Sequence, residues 1–342
     1  MHSKICMRLS IKVFHRKDGY KLRNIYYLKA VSEALFSEMK IDPDVLVIGE
    51  DVRFSLRGIT RGFVDVFGPD RVIDTPISEA GLTGVGTGAA LSGLRPVLEF
   101  QICEFVFFAF DQLVDQAQKL RYMSGGKLKV PVTYLIATSG AKGGMAGQHS
   151  DNPYPYLLHG GMKTVIPSTP YDAKGLLVSA IREDDPVAVF LPVNCLGTKG
   201  DVPEEQYTIP LGKGEIKKEG KDVTIVATGH LVRIALEAAE ELETQGISAE
   251  VYDPRTLLPL DKDLLFQSIK KTGRVVIFDD SNRTCGFAAE VSAAITEECF
   301  ADLKSPVRRI TRADVPVPFS AEMEAFVLPD KEKLIKAILK GF

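Results

Sequence analysis

The chain has 342 residues, of which 45% are hydrophobic and 25% charged; this globular balance excludes disordered, collagen-like and mucin-like chains. Lys and Arg number 42 against 45 Asp and Glu, so no overall basic field exists to hold nucleic acid. No run nears the roughly 20 apolar residues that cross a bilayer.

Residues 1–23 read differently from the rest. They carry Lys4, Arg8, Lys12, Arg16, Lys17, Lys21 and Arg23 against one acid, Asp18. The first reading is a basic surface arm, with translation starting at Met7. A targeting remnant, which would place the protein in a mitochondrial or plastid matrix, is the alternative. The five cysteines, Cys6, Cys103, Cys195, Cys285 and Cys299, are scattered with no CxxC pair. That predicts neither a disulfide framework nor a Cys-rich zinc site, and suits a reducing, cytoplasmic setting.

From residue 25 strand and helix signals alternate. Residues 26–39 have helical spacing, and 45–48 (VLVI) form a short apolar run that stops at Gly49. Residues 82–92 (LTGVGTGAALS) suit a closely packed helix, 95–101 a strand, 107–120 a helix and 130–137 a strong strand. Residues 163–167 read as a strand. Thr169 can then cap a helix to about Arg182, with Pro170 in its first position and Asp172 three after the cap. Residues 187–191 are another strand. Residues 201–222, rich in Gly, Pro and charge, read as a linker between a domain at 24–200 and another at 223–342. Beyond it, strands at 223–227, 249–252 and 275–278 alternate with helices at 231–242, 261–271 and 288–298. Such alternation implies α/β domains, each with a mostly parallel sheet covered on both faces.

Several features could carry chemistry. The glycines of GVGTGA (84–89) resemble a dinucleotide loop, but no apolar strand directly precedes them; a helix that lets backbones approach is the simpler reading. Ser150 beside His149 lacks a nucleophile-elbow motif. Glu79 is an isolated carboxylate amid small and apolar residues, Ile77-Ser78-Glu79-Ala80-Gly81. Such a group is either paired structurally or unpaired and functional. His149 ends a glycine-rich stretch directly after a strong strand, where α/β folds place ligands.

Several separate stretches then match one family. They are GED (49–51), FGPDRVIDTPISEAGLTGVGTGAALSGLRPVLEF (67–100), YMSGG (122–126), GQHS (147–150), PSTPYDAKGLL (167–177), DPRTLLPLD (253–261) and RADVPVPF (312–319). The chain resembles the beta subunit of thiamine-diphosphate-dependent 2-oxo-acid dehydrogenases, half of the first component of the pyruvate and branched-chain complexes. The resemblance implies a transketolase-like pyrimidine-binding domain followed by a transketolase C-terminal-like domain. It implies an α2β2 heterotetramer with thiamine diphosphate held between an alpha and a beta chain. The alpha chain of the family supplies the Mg²⁺ and diphosphate site through a GDG…N motif, and no GDG occurs here.

By that resemblance Glu79 bonds the pyrimidine ring nitrogen, with Ile77 beside the cofactor. Phe105 stacks on the pyrimidine, and His149 works as a proton or hydrogen-bond donor at the channel mouth. A monovalent cation, usually K⁺, is implied at Thr133, Ala180, Ile181, Glu183 and Asp185; the family more often has Asp and Asn at the last two. The C-terminal domain is implied to dock a dihydrolipoyl acyltransferase core, with the terminal carboxylate as a contact. After His149 and Ser150 the sequence reads DNPYPY (151–156), where the family has Gln and an aromatic-rich helix start. Its two prolines predict a stiff, non-helical stretch. The expected function is oxidative decarboxylation of a 2-oxo acid, pyruvate first, with acyl transfer to lipoamide. Branched-chain 2-oxo acids and acetoin are alternative substrates, and a non-catalytic interaction subunit of the same fold is the rival reading.

Overall fold

The computed structural model describes residues 21–138 and 144–340. Most of the expected basic arm, part of the glycine-rich stretch before His149 and the terminal carboxylate lie outside the described residues.

β1 (Leu22–Tyr26) leads into α1 (Tyr27–Ile41), which buries Tyr27, Ala30, Val31, Ala34 and Leu35 on one helical face. β2 (Val45–Gly49), α2 (Phe63–Phe67), β3 (Val72–Asp74), α3 (Glu79–Leu91) and β4 (Arg95–Phe100) follow. Then come α4 (Gln118–Met123), β5 (Thr133–Thr138), α5 (Tyr154–His159), β6 (Lys163–Val165), α6 (Pro170–Arg182), β7 (Val187–Pro192) and β8 (Lys199–Pro203). The later half contains β9 (Glu215–Lys218), β10 (Val223–Ala227), α7 (Leu231–Thr244), β11 (Ala249–Asp253), β12 (Thr256–Leu258) and α8 (Lys262–Thr272). It ends with β13 (Val275–Asn282), α9 (Phe287–Cys299), β14 (Arg308–Arg312), α10 (Ala321–Val327) and α11 (Lys331–Leu339).

Seven strands form the first sheet, in the order β12-β6-β7-β5-β4-β2-β3, and every pairing is parallel except β12 with β6. Runs such as Val45–Gly49 are buried throughout because helices cover both faces. α1 and α6 pack on one face, where Tyr27, Val31, Leu176 and Leu177 meet Val47 and Val189. α3 and α5 pack on the other, where Leu82 and Tyr154 meet Leu98 and Phe190. The second sheet has the order β14-β13-β10-β11-β9, parallel apart from β9 with β11.

The glycine-rich segment is the body of α3, not a loop after a strand. A Cβ on Gly86 would fall 2.6 Å from Leu98 Cδ1, so the glycine lets the helix lie against β4. The dinucleotide-loop reading therefore fails on geometry. Residues 107–120, expected as one α-helix, divide instead. Cys103–Ala109 is 3-10 helix, Asp111–Ala117 is π-helix, and only from Gln118 does α4 begin. The prolines after His149 also behave differently from expectation. Pro153 is the N-cap of α5 and Pro155 lies in its first turn, where a missing N–H removes no helical bond. Residues 201–222 hold the end of β8 and all of β9. The four described cysteines, Cys103, Cys195, Cys285 and Cys299, form no disulfide among the described residues, and no helix among the described residues is long and apolar enough to cross a membrane.

The two halves interlock. β12, from the later half, closes the edge of the first sheet. One apolar cluster runs from Leu98 and Tyr134 through Val226 to Phe287. Beside it lies a buried ionic cluster. Asp172, in the first turn of α6, is fully buried. Lys217 Nζ lies 2.7 Å from Asp172 Oδ2, and Arg255 Nη2 lies 2.7 Å from Asp172 Oδ1. Ser168 Oγ donates to Asp253 Oδ2 at 2.5 Å, and Lys217 Nζ is 3.7 Å from the same oxygen. Burial pushes the Asp172 pKa upward, but Lys217 and Arg255 outweigh it and hold the carboxyl below its ordinary value. Asp172→Ala removes the fully buried carboxylate that both Lys217 and Arg255 contact, leaving Glu215 and Asp253 to balance two enclosed cations. It is expected to lower stability by about 3–5 kcal/mol, measured by urea unfolding.

Candidate active site

Glu79 is the first residue of α3. Ser78 caps that helix through Oγ, which accepts from Gly81 N at 3.3 Å. The cap fixes the entry turn, so the Glu79 carboxylate stands at the C-terminal edge of the sheet, beside the positive end of the helix. It is 8% exposed. Among the described residues no lysine, arginine or hydrogen-bond donor pairs with it. Two residues earlier Ile77 is 82% exposed, an apolar side chain held in the open.

A second acid lies alongside. Glu50 follows β2, and its Oε1 is buried with no hydrogen-bond partner. Burial raises the Glu50 pKa first, and the charges of Glu79 and Asp51 add to that. Sequence reasoning gave Glu50 no role; its signal was the GED motif at the end of a buried strand.

α3 packs against the 3-10 turns of Cys103–Ala109, which carry Phe105. The Phe105 ring is half-buried and meets His149 edge-on, with centroids 5.5 Å apart. His149 donates its backbone N–H to Ala146 O at 3.1 Å, which turns the loop back toward that ring. Phe105 and His149 are thus in ring contact, and Glu79 heads a helix that packs on the turns carrying Phe105. Carboxyl, flat ring and imidazole are the parts an acid–base site on a heteroaromatic cofactor requires. Two unpartnered acid oxygens next to an open apolar side chain fit a flat ring that offers N–H donors. The described cavities have other linings. One of them, about 770 Å³, lies between α5, β12 and α9.

The expected cation ligands also gather, at the end of α6 near the start of β5. Their polar atoms are taken. Lys163 Nζ lies 3.2 Å from Glu183 Oε2 and 2.8 Å from Asp185 Oδ2. Arg121 Nη1 donates to Asp185 Oδ1 at 2.6 Å. Arg95 Nη1 donates to Ile181 O at 3.1 Å and to Glu183 O at 2.9 Å. Glu183 N donates to Ala180 O at 3.2 Å. Arg95, Arg121 and Lys163 occupy oxygens of Ile181, Glu183 and Asp185, and Ala180 O accepts a backbone N–H, so these four do not fit K⁺ as arranged.

A third acid, Glu99, is buried beneath the loop after β2. It opposes Gly49 across the β2–β4 ladder. Gln101 Nε2 donates to Glu50 O at 2.9 Å and reaches Glu99 Oε1 at 3.5 Å; Glu99 Oε2 has no partner. Burial outweighs the Arg57 charge and the Gln101 hydrogen bond and pushes the Glu99 pKa up to about 7. The folded chain therefore holds this proton more tightly than the unfolded one. The stability it confers is complete below about pH 4.3 and is lost as pH rises to about 7, at up to about 1.4 kcal/mol per pH unit. Urea unfolding at pH 5 and pH 7 is expected to show a smaller decline for Glu99→Gln than for the unaltered chain.

Comparison with known proteins fits this geometry. The family described as transketolase, pyrimidine binding domain, matches residues 23–198, and transketolase, C-terminal domain, matches 212–334. The chain is similar to an acetoin:2,6-dichlorophenolindophenol oxidoreductase subunit beta from Bacillus subtilis (strain 168). The two are 45% identical over 326 residues, 91% of this chain and 95% of that protein. It is 42% identical to the pyruvate dehydrogenase E1 component subunit beta of the same organism, over 92% of this chain and 97% of that protein. Among solved structures it is similar to a split-gene transketolase described as an inactive beta4 tetramer, with TM-score 0.76 and 26% identity, over 93% of this chain and 98% of the other. Two transketolase-type domains in this order and relatives of this similarity over nearly the whole length place the chain in the family of thiamine-diphosphate-dependent 2-oxo-acid dehydrogenase E1 beta subunits.

Proposed function

We propose that Glu79, Phe105 and His149 form the beta-chain half of a thiamine-diphosphate site that cleaves a carbon–carbon bond next to a carbonyl, with pyruvate as the first substrate. The observation that carries this reading is a buried Glu79 carboxylate without a cationic partner, beside Glu50 and within the same packed group as Phe105 and His149. When bound, thiamine diphosphate supplies a nucleophilic carbon for attack on the substrate carbonyl. Glu79 shares a proton with the pyrimidine ring nitrogen. Phe105 holds the ring plane and, with Ile77, keeps water from it. His149 donates a proton or hydrogen bond to the substrate oxygen or to the acyl acceptor.

This half-site leaves the diphosphate end unassigned. Mg²⁺ and the diphosphate belong, on this reading, to an alpha chain that closes over the exposed Ile77, Val85, Phe108 and Tyr122. Two such pairs form an α2β2 assembly, cytoplasmic in location, that hands its acyl group to the lipoyl arm of a dihydrolipoyl acyltransferase docked through the C-terminal domain. Acetoin is the second substrate reading, favoured by 45% identity to a protein named for it. Pyruvate and acetoin deliver the same two-carbon unit, so a pocket for one accommodates much of the other.

In enzyme reassembled with its alpha chain, Glu79→Ala is expected to lower turnover by about 10²–10⁴-fold. Unchanged turnover would remove Glu79 from the site. Comparing kcat/KM for pyruvate, acetoin and a branched-chain 2-oxo acid then decides the substrate; activity with none of the three would favour the non-catalytic subunit.

A further inference from the structure

The segment that carries His149 is held from two sides. On one side are its neighbours in the 3-10 turns. Glu104, next to Phe105, accepts the Asp151 N–H through Oε1, and Cys103 Sγ donates to Asp151 O at 2.8 Å. On the other side is the C-terminal domain. Arg312, at the end of β14, is 1% exposed. Its Nη1 donates to Asp151 Oδ1 at 2.8 Å, and its Nη2 donates to Asp280 O at 3.2 Å and to Asp280 Oδ1 at 3.3 Å. Asn152 Nδ2 donates to Asp280 O at 2.9 Å and to Oδ2 at 2.8 Å, and Tyr154 OH donates to Asp279 Oδ1 at 2.5 Å. Upstream of His149 a Cβ on Gly147 would lie 3.2 Å from Pro316 Cβ. The C-terminal domain thus touches this segment both before and after the histidine.

These contacts meet at Asp151, two residues from His149. Its backbone is tied to the turn that presents Phe105, and its carboxylate is tied to the other domain. Asp151 Oδ1 also accepts from Asn152 N at 2.8 Å, which fixes the carboxylate in the direction of Arg312. A buried guanidinium between two carboxylates is costly to displace, because moving it strands a buried charge. It therefore makes a stiff anchor.

We propose that Arg312 is a positioning residue for the reaction: by pairing with Asp151 across the domain boundary, it fixes the segment that places the His149 imidazole against Phe105. The inference rests on His149 acting as the proton donor. Pairing through Asp151 also makes the separation of the two domains part of the site's geometry. A displacement near 1 Å in a positioned group can cost about 10²-fold in rate.

Asp151→Asn keeps the side-chain size and leaves Arg312 its Asp280 partner, so the variant is expected to fold. In the reassembled enzyme it is expected to lower kcat by about 10- to 100-fold and to leave KM for the 2-oxo acid within about twofold. Made on His149→Ala, it is expected to add less than about twofold, because the residue it acts through is gone. Hydrogen exchange supplies a readout independent of turnover. The His149 amide, bonded to Ala146 O, is expected to exchange about 10-fold faster in Asp151→Asn, with β10 and β13 unchanged. Arg312→Lys, which keeps charge but not the two-pronged contact, is expected to fall between. An equal loss of turnover in both backgrounds, or unchanged kcat and exchange, would overturn the proposal while leaving the role of His149 intact. Full turnover in His149→Ala alone would overturn the site reading and this inference together.

Discussion

The junction between the halves rests on charge that has no access to water. Asp172, Lys217, Asp253 and Arg255 come from α6, β9, the end of β11 and the turn after it, and each is nearly or fully enclosed. None could stay ionised there alone. Each needs the others in place, so the pyrimidine-binding half and the C-terminal half specify a single relative position. β12 on the edge of the first sheet and the apolar cluster common to both sheets work to the same end. Everything the site requires of the C-terminal half presupposes that fixed junction.

The site uses the opposite device. At the junction every buried charge has a partner; around Glu79 the acids do not. Glu50 Oε1 and Glu99 Oε2 are enclosed without donors, and Glu79 is nearly enclosed without a cation. Leaving such groups unpaired destabilises the fold, and a fold tolerates it where a ligand or a proton is to be received. The glycine at the end of β2 belongs to this arrangement, since a Cβ on Gly49 would lie 2.7 Å from Glu99 O. Strand, helix cap and loop deliver three carboxyl groups to one edge of the sheet.

Much of this was legible in the sequence, for reasons specific to each element. Residues 187–191 are an unbroken apolar run and 223–227 are broken only by Thr224, so their burial in parallel sheets could be read directly. Thr169, Pro170 and Asp172 announced the start of α6, and Asp261 and Gly273 bracketed α8. Residues 103–117 misled because apolar spacing reports which residues face inward. It does not distinguish 3-10 or π turns from an α-helix. β12 and β9 were hidden because each is short and acquires its strand character from a partner far away in the chain. At the site, Glu79 and His149 stood out from their own surroundings, and motif resemblance supplied their roles and Phe105. Glu50 and Glu99 needed the sheet register, which sets Glu99 opposite Gly49, the residue before Glu50. Lys163 and Arg95 at the expected ion ligands could not be read at all, because their placement depends on contacts between separate strands and loops.

One surface feature reaches beyond the site. Ile77, Phe108 and Tyr122 are 82%, 70% and 91% exposed, a greasy flank unusual for a protein that lives by itself. A ribosome that produced this polypeptide faster than its companion would release molecules prone to clumping and to capture by quality-control machinery. On the reading that an alpha chain covers this flank, balanced synthesis of the two polypeptides is a demand written into the exterior of this one.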